Sequence, residues 1–178
     1  MDLTTTLSSG LPRPAIAPAG SDLKAVMRHV TGTVSVITAG GEDDRTGATV
    51  TSATALSVDP PTMIVNINRS SSSWPVIARH RHFCINILDA AQSDVAERFS
   101  GLGGLKGKDR YQNAEWTRLV SGAPALVGAL AVIDCEIEEV IERHSHAIIL
   151  GRVLDIATGV GSPLLYSHGQ YRALPDKR

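Results

Sequence analysis

The 178-residue sequence is long enough for one domain with a substantial core and too short for two ordinary ones. Its formal charge of −1 and 43% apolar content describe a water-soluble globular chain and supply no basic excess for nucleic acid. The longest aliphatic runs, such as Ala147 to Leu150, fall far short of the roughly 20 residues a membrane-spanning helix needs, so neither nucleic-acid nor membrane partners are expected.

Residues 1–20 carry Thr4-Thr5-Thr6, Ser8-Ser9-Gly10 and three prolines, without the basic start and apolar centre of a secretory signal. They read as a flexible arm ahead of a single domain over 21–178. Ser21 is placed to cap a helix whose Leu23, Val26, Met27 and Val30 share one face, and this face is expected to pack on a sheet. Thr33 to Thr38 and Thr46 to Val58 are rich in β-branched residues and flank the polar turn Gly40 to Asp44, the pattern of a hairpin. Asp59-Pro60-Pro61 ends its second arm, and Thr62 to Asn66 starts a third strand. A short helix from Ser73 to about His80, a strand from Phe83 to Leu88 and a helix from Ala90 to Phe99 follow. Gly101 to Ala114 has four glycines and no period, and reads as a long loop. Between Ala131 and Ile137 apolar residues alternate with Asp134 and Glu136, as in a strand with one wet face. Ala147 to Ile156 makes another strand, interrupted by Gly151. About six strands with short connections and few helices favour an antiparallel closed or nearly closed barrel.

Several chemistries are excluded by spacing. Gly101-Leu102-Gly103-Gly104 follows a helix and matches neither phosphate-loop pattern. No GxSxG occurs, and no cysteine stands beside a histidine. The pairs His80/His82 and His144/His146 lack a carboxylate or thiol at a metal spacing, so no protein-held metal is expected. Cys84 and Cys135 lie in apolar runs and suit buried reduced thiols in a cytoplasmic protein. What stands out is hydroxyl density, from Thr46 through Ser57 and again at Asn68-Arg69-Ser70-Ser71-Ser72-Ser73. Small hydroxyls, loop amides and one guanidinium suit an anion such as phosphate. Strand and turn preferences of Thr and Ser explain the same composition without any ligand.

The order of the motifs adds to this. TGTVSVIT at 31–38, GATVTSATALSVDPP at 47–61, NRSSSSWPVI at 68–77, FCINIL at 83–88, ERFSG at 97–101 with KGKDRY at 106–111, and HAIILGRV at 146–153 followed by PLLYSHGQY at 163–171 together resemble the short-chain flavin reductases. This resemblance covers about residues 23–174. It implies a mainly β fold with a few helices, the FMN-binding split β-barrel of Greek-key type, working as a homodimer. It also implies an oxidoreductase in which NADH or NADPH reduces FMN or FAD, often supplying reduced flavin by diffusion to a separate monooxygenase. Thr49, Val50, Thr51 and Ser52 match the family's stretch along the flavin ring and ribityl chain, and Asn68, Arg69, Ser70, Ser71 and Ser72 its phosphate loop. Phe99 and the segment with Lys106, Arg110 and Tyr111 match the loop over the flavin's tail. His146, with Gly169 and Tyr171, matches the residues near the nicotinamide. Three positions depart from the family's pattern: Val50 for alanine, Ala55 for a hydroxyl residue and Ser145 for the aspartate before the histidine. Two other readings keep the same barrel: a tightly held flavin passing electrons to ferric iron or a corrinoid, and a flavin- or haem-binding carrier without NAD(P)H activity.

Overall fold

In the computed structural model, which describes residues 22–175, the β-branched segments become strands almost throughout. The expected arm 1–20 and the Ser21 cap lie outside the described residues. A single helical turn and a half, α1 (Leu23–Met27), leads into β1 (Gly32–Thr33) and β2 (Ser35–Ala39). Next come β3 (Thr46–Val50), β4 (Thr54–Val58), β5 (Pro61–Asn68), helix α2 (Trp74–His80) and β6 (His82–Ile87). Helix α3 (Ser93–Phe99) precedes a loop with two short 3-10 turns, then the small hairpin β7 (Trp116–Arg118) and β8 (Pro124–Leu126). Two 13-residue strands, β9 (Ala131–Arg143) and β10 (His146–Thr158), form a long hairpin, and β11 (Leu165–Ser167) and β12 (Gln170–Arg172) a short one.

The main sheet has seven strands in the order β3-β2-β6-β9-β10-β5-β4, with every pairing antiparallel. Its two edge strands, β3 and β4, are consecutive in sequence. In a flat sheet seven strands would hold those edges about 29 Å apart. The linking residues Thr51, Ser52 and Ala53 reach about 14 Å at most, so the sheet must curl until its edges nearly meet. The result is a β-barrel split along one side.

Both faces of β2 and β6 are covered, which explains their near-continuous apolar sequence. Ile37, Ala39, Phe83, Ile85, Val65, Ile67, Cys135 and Ile149 form one buried cluster inside the barrel. Val34, Val36, Cys84, Leu88, Phe99, Tyr111 and Leu126 belong to a second, between sheet, α3 and the β7–β8 hairpin. Gly151, which interrupts the strand pattern, leaves room for a ring: a Cβ there would stand 2.6 Å from Phe83 Cζ.

Three expectations need correction. The segment Thr46 to Val58 is not one hairpin arm, because the chain leaves β2 at Val50 and crosses the slot to pair β4 with β5. Asp134 does not face water. It is fully buried, accepting bonds from Ser121 N (2.7 Å) and Ser121 Oγ and, more weakly, the Cys84 thiol (3.4 Å), so the polar alternation marked an internal hydrogen-bond hub rather than a wet face. Finally, α1 does not lay its apolar residues on the sheet: Leu23, Val26, Met27 and Val30 are all more than half exposed. The β1 pairing with β11 holds the segment after α1 at the far end of the chain instead.

Candidate active site

Two adjoining cavities open on the split edge of the barrel, and they share Thr49, Val50 and Ser100. The tail lobe, about 380 Å³, fills the slot itself, between β3 on one side and the ends of β5 and β10 on the other. The mouth lobe, about 520 Å³, lies between β3, α3 and the β11–β12 hairpin. Together they have the size and shape of a small-molecule site.

The wall they share is fixed by backbone contacts of β3. Thr49 Oγ1 donates to the Ala96 carbonyl of α3 at 2.7 Å, so its hydroxyl proton is committed to the fold. Gly47 is required by closeness, since a Cβ would meet the Ile37 carbonyl at 2.6 Å and the Phe99 ring at 2.7 Å. Phe99 is buried and edge-on to Tyr111 at 5.0 Å. Tyr111 in turn donates to the Thr46 carbonyl at 2.5 Å, and its phenol is raised above the usual range by burial. Arg110 bonds the Leu105 carbonyl through Nε (2.9 Å) and the Gly47 carbonyl through Nη1 (2.5 Å). Its third nitrogen, Nη2, has no partner among the described residues, and the guanidinium lines the tail lobe. Burial lowers its pKa, which leaves it still a cation at neutral pH.

Arg45 stacks over Tyr111 at 4.5 Å and Arg98 pairs with Asp94 at 2.7 Å, while Arg45 Nε and Arg98 Nη2 are buried without partners among the described residues. Of these three guanidinium groups only Arg110 lines the tail lobe, and its free N–H donors suit an anion there.

On the opposite wall, Asn68 Oδ1 accepts from Ser70 N and Ser70 Oγ, both at 2.9 Å, closing a tight turn. That turn sets Asn68, Ser71 and Ser72 on the tail lobe. The β5–β10 register pairs Asn68 with His146, which brings the imidazole into the same lobe. Ser145 Oγ lies 2.9 Å from His146 Nδ1.

The site differs in several places from the sequence expectation. Thr49 and Val50 line both lobes and Thr51 the mouth lobe, but Ser52 is turned away, tying the crossing to Asn66 backbone at 3.3 Å. Arg69 and Ser70 do not line the tail lobe. The Arg69 side chain is drawn to Glu142 of β9 at 2.6 Å, so the cation of this lobe is Arg110. Lys106 is exposed and lines no cavity described here, and Tyr111 acts from within the core. His146 does not join Gly169 and Tyr171, which line the mouth lobe. The mouth lobe also takes Glu97, Gln170 and Tyr166, which lie within the family motifs but had no role assigned from sequence. Tyr171 packs against Tyr166 at 5.4 Å, and burial raises its phenol pKa, with Glu97 adding to the shift. Outside the site, His80 is paired with Asp44 at 2.8 Å, and among the described residues no three His, Cys, Asp or Glu gather as metal ligands. Both cysteines are buried free thiols, Cys135 pushed up to about 12 by burial. No helix among the described residues is long and apolar enough to cross a membrane.

Comparison with known proteins agrees with this geometry. The flavin reductase like domain matches residues 27–175. The chain is 36% identical over 160 residues to FMN reductase (NADH) RutF 2 of Methylorubrum extorquens strain PA1, covering 89% of this chain and 92% of that one. Among solved structures, the NADH:FAD oxidoreductase SgcE6 of Streptomyces globisporus C-1027 superimposes with a TM-score of 0.81 at 26% identity, over 93% of this chain and 100% of its own. BorF, the flavin reductase component of a bacterial two-component tryptophan halogenase, gives a TM-score of 0.79 at 27% identity, over 87% and 98%.

Proposed function

The chain belongs to the flavin reductase-like family, and from that membership and its paired lobes we propose that it is an NADH-dependent reductase of FMN or FAD that passes the reduced flavin to a separate monooxygenase. The carrying observation is the wall common to both lobes: a ring laid along Thr49 and Val50 is reachable from the tail lobe and from the mouth lobe at once. When bound, the flavin supplies the chemistry by taking a hydride from the nicotinamide.

The protein's own work is positional. Arg110, Asn68, Ser71 and Ser72 offer donors to a phosphate in the tail lobe, and His146 presents its imidazole beside Asn68 to the same tail. Thr51, Gly169 and Tyr171 form the surface on which the nicotinamide rests. Holding two rings in contact contributes roughly 7–11 kcal/mol toward a barrier of this kind, so no acid or base residue is required at the reacting atoms. Two-component relatives such as BorF support the transfer to a partner enzyme. A homodimer is part of the same reading: edge strand β4 exposes Leu56 and Val58, an apolar edge of the kind proteins cover. Buried free thiols suit a reducing cytoplasm.

Oxidation of NADH and NADPH followed at 340 nm against FMN, FAD and riboflavin tests the proposal. Turnover is expected with NADH and a phosphorylated flavin. A protein that oxidises neither nucleotide with any flavin is not such a reductase.

A further inference from the structure

Two cations near the rim of the mouth lobe have no carboxylate partner among the described residues. Arg28, just after α1, lies against Gly169 of the β11–β12 turn: a Cβ on Gly169 would stand 2.9 Å from Arg28 Nη2. Its carbonyl accepts from His168 N at 2.9 Å, Thr31 Oγ1 donates to Ser167 Oγ at 2.9 Å, and His29 meets His168 edge-on at 4.8 Å. These contacts join the α1 end to the turn. In the adjoining strand, Arg172 Nη2 donates to Gln170 Oε1 at 2.5 Å. Gly169 and Gln170 both line the mouth lobe, whose one acidic lining residue among the described residues is Glu97. Among the described residues neither Arg28 nor Arg172 forms an ion pair, unlike Arg69, Arg79, Arg98 and Arg152. Two fork-shaped donors, each against a residue that lines one opening, match a phosphate-bearing ligand better than an uncharged one.

We propose that Arg28 and Arg172 are specificity-determining residues that grip the phosphate-bearing arm of the pyridine dinucleotide as its nicotinamide enters the mouth lobe. This inference rests on the NADH:flavin reductase reading. It gives α1 a role at the mouth although its apolar residues are more than half exposed among the described residues: the helix end carries a charge to the opening. The exposure of both groups keeps each contact weak, so the pair matters more than either member.

The test compares NADH with N-benzyldihydronicotinamide, a hydride donor with the same ring and no phosphate, for the full-length wild type and the R28Q/R172Q variant with saturating flavin. The ratio of kcat/KM for NADH to that for the phosphate-free donor should fall about tenfold in the variant, through KM, as expected for two lost charge-assisted contacts. Added salt should lower the same ratio in the wild type and leave it flat in the variant. A misfolded variant would lose both donors together, and R28K/R172K should restore part of the ratio. An unchanged ratio in R28Q/R172Q, with the wild type active, overturns the inference alone. A wild type inactive with every donor and flavin overturns the reading beneath it as well.

Discussion

The two lobes are built in opposite ways. The tail lobe is carved from the barrel: β3, β5 and β10 are continuous with the buried core, and Arg110 and Tyr111 clamp the Gly101–Ala114 loop to β3 carbonyls. The mouth lobe shares β3 and α3 on its inner wall, but its outer wall is the short three-stranded sheet, to which an exposed helical turn is joined mainly by contacts around His168. This difference teaches a division of labour. A group that must be held in one place goes where backbone geometry is over-determined, and a group that must arrive and leave goes where few contacts need to break.

The sharpest way to break that comparison is a methyl group on the tail-lobe strand set against one on the open loop outside both lobes. Gly47→Ala forces a Cβ against a backbone carbonyl and the Phe99 ring, and should cost about 2–3 kcal/mol in denaturant unfolding, with loss of flavin binding. Gly103→Ala, at a positive φ on the open loop with nothing within 4 Å, should cost about 1 kcal/mol. Equal costs would mean that the tail lobe is no more constrained than its surroundings. The next largest effect concerns the phosphate. Arg110→Ala should weaken FMN about tenfold more than riboflavin in a fluorescence titration, as loss of a charged hydrogen bond implies, whereas Arg69→Ala should move both by less than about twofold. The reverse order would return the phosphate to the Arg69 turn. A smaller effect separates the lobes through His146. Its replacement by alanine should weaken FMN about threefold, the loss of a modest hydrogen bond, and leave KM for NADH unmoved. A rise in that KM alone would move His146 back to the nicotinamide.

The smallest effect lies away from both lobes and serves as a control. The hydrogen bonds from His80 and Arg79 hold the Asp44 carboxyl well below the usual carboxylate range. Because its folded pKa is depressed, Asp44 contributes stability at neutral pH that begins to fade as pH drops below about 4 and is lost through the folded value. Asp44→Asn should therefore flatten the acid limb of a stability profile slightly and leave both lobes' ligand affinities alone.

Much of the barrel was legible in the sequence, because local chemistry and final structure agree there. The Thr33–Thr38 arm, the turn at Gly40 to Asp44 and the long strands after Ala131 and Ala147 all appear with bounds close to those expected. Thr46 to Val58 misled because its hydroxyl and aliphatic residues suit a strand throughout, and nothing local marks Thr51 to Ala53 as the place where the chain crosses the slot. Asp134 misled for a related reason. Alternation reports a polar face, and only the fold shows that Ser121 has been brought over it. At the site, a run of serines with one arginine drew attention to Arg69, but a guanidinium goes where its charge is answered, and Glu142 answers it. Arg110 was visible only through the family motif, since its value comes from burial that sequence spacing does not reveal. The α1 face shows the limit of periodicity: helical spacing says which residues share a side, not whether anything covers that side.

The three-residue crossing from β3 to β4 also bears on the order of folding. The β9–β10 hairpin closes locally, while β10 reaches β5 across about eighty residues of intervening chain, so long-range pairings of this sort form late. The slot, and with it the tail lobe, exists only once both edges have been drawn together. A ligand that needs the slot binds the finished barrel and not its precursors, and at a free concentration a hundred times its Kd it would add about 2.7 kcal/mol to global stability. The seam that makes the barrel incomplete is thus the place where its substrate can complete it.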